Sequence, residues 1–164
     1  MRVNEVAVIV GGGPGVSASC ARLFASEGMK VAIAARTPNK PALKVLEEQH
    51  GVTVYGCDAA DEASVVQFFE KVKTELGNPS LIVHNIDGRT PDVFRKEITD
   101  VAPVDVRATI LNSTFSAFLV GQQAARCFLE NEIDEYGRGT IIFTNASAAL
   151  KGFPKSGAFA AACH

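Results

Sequence analysis

Apolar residues in this chain fall into short unbroken runs separated by longer stretches in which they recur every three or four positions. Val6 to Val10 (VAVIV) is apolar at five successive positions, the signature of a strand buried on both faces of a parallel sheet. A glycine-rich loop follows, and Val16 to Glu27 then reads as a helix closed by Gly28. Val31 to Ala35 (VAIAA) predicts a second strand. The turn Thr37-Pro38-Asn39 leads to a helix that reaches about Gln49 and stops near Gly51. Val52 to Tyr55 predicts a third strand, and Asp61 to Leu76 a third helix with Asp61 as its N-cap. Leu81 to Val83 predicts the fourth strand. A loop with Gly88, Pro91 and Pro103 precedes a long helix from Asp105 to Glu130. Gly139 to Phe143 predicts a fifth strand, and a further helix begins near the C-terminus.

Strict alternation of strand and helix with short loops implies right-handed crossovers and a parallel sheet covered on both faces. The expected architecture is α/β, a doubly wound sheet in three layers, α/β/α. Residues 1–164 form a single domain, with no internal repeat and no linker. Such a sheet binds ligands outside the carboxyl ends of its strands, where strand order reverses. The loops after Val10, Ala35, Tyr55 and Val83 are therefore the candidate site, and the loop after Phe143 would supply chemistry.

Composition narrows the function classes. The 164 residues are 47% hydrophobic and 21% charged, with a net charge of −2. That supports one packed core and excludes disorder as the main state. No basic field points to nucleic acid, and no apolar run approaches the roughly 20 residues of a membrane helix. The start, Met1 to Glu5, runs straight into a strand, so a soluble cytoplasmic protein without a signal peptide is expected. Cys20, Cys57, Cys127 and Cys163 include no C-x-x-C pair, which argues for free thiols over zinc or redox motifs.

The segment Gly11-Gly12-Gly13-Pro14-Gly15-Val16-Ser17 joins a buried strand to a helix. Glycines there admit unusual backbone angles and let a pyrophosphate approach the positive end of the helix. Read as G-x-G-x-x-G from Gly11, the last position falls on Val16 and the pattern fails. Read as G-x-x-x-G-x-G, it gives Gly11, Gly15 and Ser17. A P-loop is excluded, since no Gly-Lys-Ser/Thr follows. A tight structural turn is the alternative reading. At the end of the second strand, Ala34-Ala35-Arg36-Thr37 lacks the acid that bonds a ribose 2′-hydroxyl in NAD binders. Arg36 can instead meet a 2′-phosphate, which favours NADPH over NADH.

Four segments together resemble the short-chain dehydrogenase/reductase family, whose nucleotide-binding half is a Rossmann fold. They are the G-x-x-x-G-x-G register, Cys57-Asp58-Ala59-Ala60, His84-Asn85-Ile86-Asp87-Gly88 and Gly139 to Ser147. The resemblance implies an NADP(H)-binding oxidoreductase that moves hydride between nicotinamide and a carbonyl or alcohol. It assigns Gly11, Gly13, Gly15, Val16, Arg36, Asp58, Ala59 and Asn85 to the cofactor, with Asp58 and Ala59 near the adenine. Only Asn85 matches the family's Asn-Asn-Ala-Gly outright, because Ile86-Asp87 replaces the small pair. It implies Ser147 as the catalytic serine, although the usual spacing from Phe159 lands on Ala146, and a loop serine is the alternative. Alignment on Phe118 puts Ser113 at the family's catalytic Asn, with Asn112 adjacent as the candidate.

The family's reaction uses a Tyr and a Lys four residues later, the Lys lowering the Tyr pKa. Phe159 and Cys163 occupy those positions. Tyr55 lies in a strand and Tyr136 at the far end of the sheet, so neither can substitute, and Lys151 and Lys155 read as surface residues. Two alternatives follow: a non-catalytic NADP(H)-binding or regulatory protein, and a structural partner of a full-length relative. The family's members have about 250 residues, so the last strands would be missing here. Ile141-Ile142-Phe143 would then be an exposed sheet edge, and a homo- or hetero-oligomer is expected. His84 reads as a hydrogen-bonded structural histidine near the nicotinamide pocket, and His50 as a helix-end group, while His164 is uninformative. Phe68, Phe69, Phe115 and Phe118 read as core or subunit contacts, Cys20 as buried, and the acidic turn from Glu130 to Glu135 as solvated surface.

Overall fold

The computed structural model describes residues 5–93, 96–135 and 137–163. The readings placed on residues 1–4, Tyr136 and His164 lie outside the described residues. In chain order the elements are β1 (Val6–Val10), α1 (Val16–Ser26), β2 (Lys30–Ala35), α2 (Pro41–His50), β3 (Thr53–Gly56), α3 (Glu62–Glu75), β4 (Pro79–His84), α4 (Pro103–Ile110), a π-helical turn (Leu111–Phe115), α5 (Ser116–Glu130), β5 (Thr140–Phe143), a 3₁₀ turn (Ser147–Ala149) and α6 (Gly157–Cys163). The strands form one sheet in the order β3-β2-β1-β4-β5, and every pairing is parallel. Strand order reverses between β1 and β4, which makes their carboxyl ends the switch point of this Rossmann-like fold.

The unbroken apolar strands bury both faces, as their pattern predicts. Val6, Val8 and Val10 of β1 point to a cluster with Phe68 and Phe69 of α3 and Leu119 and Val120 of α5. Ala7 and Ile9 point to the opposite cluster with Ala18 and Ala21 of α1 and Leu43 and Leu46 of α2. Alternate side chains of a single strand thus hold the two helical layers to the sheet. Helix ends follow their local signals. Gly51 closes α2 at φ 63°, and the Asp61 side chain accepts from the backbone N–H of Ser64 at 2.7 Å.

Three expectations change. The long helix is not continuous, because a π turn interrupts it at Leu111–Phe115. Its cause lies in the polar run there: the Ser116 hydroxyl lies 2.6 Å from the carbonyl oxygen of Asn112 and 2.9 Å from that of Ser113, competing with the helix's own bonds. Cys20 is half-buried, packed at the margin of the α1–α2 cluster. Glu130 is also more than solvated surface, since it pairs with Lys73 of α3 at 2.8 Å. Among the described residues β5 pairs with β4 and no other strand, leaving Ile142 and Phe143 45% and 47% exposed.

Candidate functional site: two adjoining clefts at the strand ends

The glycine loop has two kinds of glycine. Gly11 (φ +106°) and Gly12 both donate their N–H to the carbonyl of Ala34, at 3.0 and 2.9 Å. A Cβ on Gly11 would stand 2.1 Å from the Asn85 carbonyl oxygen, and one on Gly12 would strike Ile33. These two positions need glycine for packing. A Cβ on Gly13 or Gly15 would meet nothing within 4 Å, because both face the open cleft. Helix α1 starts at Val16 without a side-chain cap, so its first N–H groups turn outward beside them.

Asn85 fastens this corner. Its backbone N–H donates to Val10, its Nδ2 donates to Ser17 Oγ at 2.7 Å, and its Oδ1 accepts from Thr144 Oγ1 at 2.9 Å. Ser17 Oγ in turn donates to the Gly11 carbonyl at 2.7 Å. One amide therefore ties together the loops after β1, β4 and β5. In the sequence Ser17 stands out only as the small third member of the glycine register, and Thr144 carries no signal of its own.

The smaller cleft, of about 500 Å³, runs from the glycine loop to the ends of β2 and β3. Arg36, Thr37 and Lys40 line it after β2, and Asp58 and Ala59 line it after the neighbouring β3. Arg36 and Lys40 are exposed, and neither side chain has a hydrogen bond or ion pair with another described residue. Lys40, missed from the sequence, is brought here by the turn that starts α2. Asp58 Oδ1 accepts from the Ala60 N–H at 3.0 Å, while the Asp58 N–H donates to Ser64 Oγ. Asn112 also lines this cleft, its Nδ2 donating to the Gly88 carbonyl at 3.4 Å. Open glycines, an uncapped helix start and two unpaired cations fit a phosphorylated nucleotide.

The larger cleft, of about 1150 Å³, adjoins the first and shares Val16, Asn85, Ile86 and Asp87 with it. Phe159 and Cys163 both line it. The Arg89 guanidinium lies 4.8 Å above the Phe159 ring. Arg89 Nε donates to Asp87 Oδ1 at 2.7 Å and a terminal nitrogen donates to Oδ2, which holds the Asp87 carboxyl below the usual carboxylate range. Burial pushes the Cys163 thiol up, and its backbone carbonyl accepts from Asn145 Nδ2 at 3.0 Å. Thr114 Oγ1 donates to the Ala162 carbonyl at 2.7 Å, so α6 is pinned from two elements.

His84 is buried at the inner wall, its Nε2 2.9 Å from Ser116 Oγ. The single hydroxyl proton of Ser116 goes to a helix carbonyl, so Nε2–H is the donor. Burial lowers the His84 pKa to about 4, and the ring is neutral near pH 7. Ser147 is exposed at the start of the 3₁₀ turn and lines neither cleft, whereas Ala146 lines the larger one. Tyr55 donates to Glu75 at 2.8 Å, outside both clefts. Lys155 pairs with Glu97 at 3.2 Å. The described residues hold no metal-binding group of three His, Cys, Asp or Glu, and no helix long and apolar enough to cross a membrane.

The family model described as Enoyl-(Acyl carrier protein) reductase matches residues 12–164. The short chain aldehyde dehydrogenase 1 of Euphorbia lathyris is 26% identical over 159 residues, covering 92% of this chain and 51% of its own. The 3-oxoacyl-[acyl-carrier-protein] reductase of Bos taurus is 24% identical, covering 92% of this chain and 60% of its own. Among solved structures, a short-chain dehydrogenase/reductase from Serratia marcescens superposes with a TM-score of 0.82 at 23% identity, over 98% of this chain and 63% of that one. An enoyl-(acyl-carrier-protein) reductase from Anaplasma phagocytophilum, solved in complex with NAD, gives 0.84 at 19% identity, over 98% of this chain and 60% of that one. The chain spans about half the length of the curated relatives it matches. With the family match covering residues 12–164 and the parallel sheet, switch-point loop and glycine register in place, the chain belongs to the short-chain dehydrogenase/reductase family of oxidoreductases.

Proposed function

We propose that this chain binds NADP(H) in the smaller cleft and does not run the family's Tyr–Lys proton relay. The observation that carries this reading is the pair Arg36 and Lys40, which line the cleft after β2 with side chains that have no partner among the described residues, and the lack of an acid at the end of β2. A ribose 2′-phosphate there gains charge-assisted bonds that a 2′-hydroxyl cannot make. Gly11, Gly13, Gly15 and Val16 would cradle the pyrophosphate, with Asp58, Ala59 and Asn85 bordering the nucleotide. When bound, a nicotinamide supplies hydride chemistry toward a carbonyl or alcohol. The residues facing that chemistry here are Phe159, which has no proton to give, and Cys163, which is neutral. Ser147 and Asn112 are left as candidates without a relay to join.

Hydride transfer to a small-molecule carbonyl or alcohol is the second reading, and membership of an oxidoreductase family favours it. The stacked and exposed rings of Phe115 and Phe118, 6.4 Å apart, support association with a second subunit. Calorimetric titration with NADPH, then NADH, on the chain and on Arg36→Ala tests the main reading. NADPH binding that weakens selectively in the variant supports it, and a folded chain that binds neither nucleotide overturns it.

A further inference from the structure

Resting on that reading of the smaller cleft, we propose that the chain recognises its ligand through the adenosine-phosphate half alone. Adenosine 2′,5′-bisphosphate is then as good a ligand as the whole dinucleotide.

The argument is an asymmetry in what the two clefts leave unbonded. In the smaller one, the Arg36 and Lys40 side chains have no partner among the described residues, and Gly13 and Gly15 present bare backbone. A phosphate arriving there adds bonds without breaking any within the protein. In the larger cleft most of the polar side chains are already engaged. Asn85 uses both ends of its amide, Arg89 is held by Asp87, and His84 is bonded to Ser116. Thr114 and Asn145 are engaged by the carbonyls of α6. A second ribose and a carboxamide entering that cleft would exchange one hydrogen bond for another, which contributes little net affinity. One aromatic face that could stack on a nicotinamide ring is that of Phe159, and Arg89 already lies over it. Ser113 and Gln122 lie outside this network on the helical wall of the cleft, and the Ser113 hydroxyl, though without a hydrogen-bond partner among the described residues, is buried against Gly88.

The full chain is titrated calorimetrically with NADPH and, in parallel, with adenosine 2′,5′-bisphosphate and nicotinamide mononucleotide. The two adenosine ligands should bind within about threefold of one another, with no heat from the mononucleotide. Arg36→Ala, and separately Lys40→Ala, should weaken both adenosine ligands by the same factor. Binding of NADPH more than about tenfold tighter than the bisphosphate, or a loss confined to NADPH in either variant, overturns this inference and leaves the NADP(H) reading standing. A folded chain that binds none of the three overturns both.

Discussion

Gly11 and Asn85 meet backbone to backbone at the switch point, so closely that a Cβ on Gly11 would lie 2.1 Å from the Asn85 carbonyl oxygen. That contact joins the loop after β1 to the loop after β4, and the two clefts open on either side of it. A Cβ on Gly13, two residues on, would meet nothing within 4 Å. One substitution made at both positions therefore separates folding from binding. Gly11→Ala should cost on the order of 2–4 kcal/mol, from overlap and from φ +106°. Gly13→Ala should leave the urea midpoint nearly unchanged while weakening NADPH by about tenfold or more. Equal midpoints for the two variants would refute the distinction.

Asn85 joins three loops through one amide, and its removal orphans two of its partners. Asn85→Ala should destabilise the chain by about 2–3 kcal/mol, since Ser17 loses a donor and Thr144 an acceptor. Amide hydrogen exchange should rise together in the glycine loop and around Thr144. Faster exchange confined to residues near position 85 would show that the amide does not couple these loops.

His84 gives the fold a pH dependence of known sign. Its folded pKa is about 4, against an ordinary histidine value in the unfolded chain, so unfolding takes up a proton between the two. Stability contributed by the neutral ring is complete above about pH 6.5 and is lost as pH falls toward 4. The loss should be on the order of 3 kcal/mol. Denaturant titrations across that window should slope down toward acid for the native sequence, and more gently for His84→Gln. Parallel slopes would assign the acid sensitivity to the carboxylates instead.

Restoring the family's two side chains should not restore its chemistry. The variant combining Phe159→Tyr and Cys163→Lys would place a phenol under Arg89 and an amine on α6, yet Ser147 would still face solvent with Ala146 lining the cleft. Incubation with NADPH and a panel of ketones and aldehydes should show no oxidation above the rate of the unaltered chain. Steady carbonyl reduction by the double variant would mean that the serine is dispensable here.

The sheet could be read directly because runs such as Val6–Val10 are apolar at every position, which only a strand buried on two faces requires. Stop signals at Gly28 and Gly51 and the cap at Asp61 are equally local, and element boundaries agree to within one or two residues there. The π turn was not legible, because Asn112, Ser113 and Thr114 keep the helical apolar period on both sides of the interruption. The glycine loop and Arg36 announce a nucleotide cleft from composition and position alone. Lys40, Thr144 and the Arg89–Phe159 pair do not, since each joins residues that are distant in sequence or lie in loops without a period. Ser147 was misplaced because exposure changes residue by residue there: Ala146 lines the cleft, Ser147 opens the 3₁₀ turn toward solvent, and Ala148 and Ala149 of the same turn are buried.

The π turn gives the chain one residue more per turn than an α-helix needs at Leu111–Phe115. Excising a single residue from that turn would let α4 and α5 merge into one regular helix with the inward face of α5 still in phase. Leu119, Val120 and Ala124 would keep their places in the core. What would change is the fan of Asn112, Ser113 and Thr114, which now reach both clefts from a single turn. The surplus residue is thus a spacer that serves the clefts at the helix's expense, and shortening the chain there would produce a sounder helix beside an emptier site.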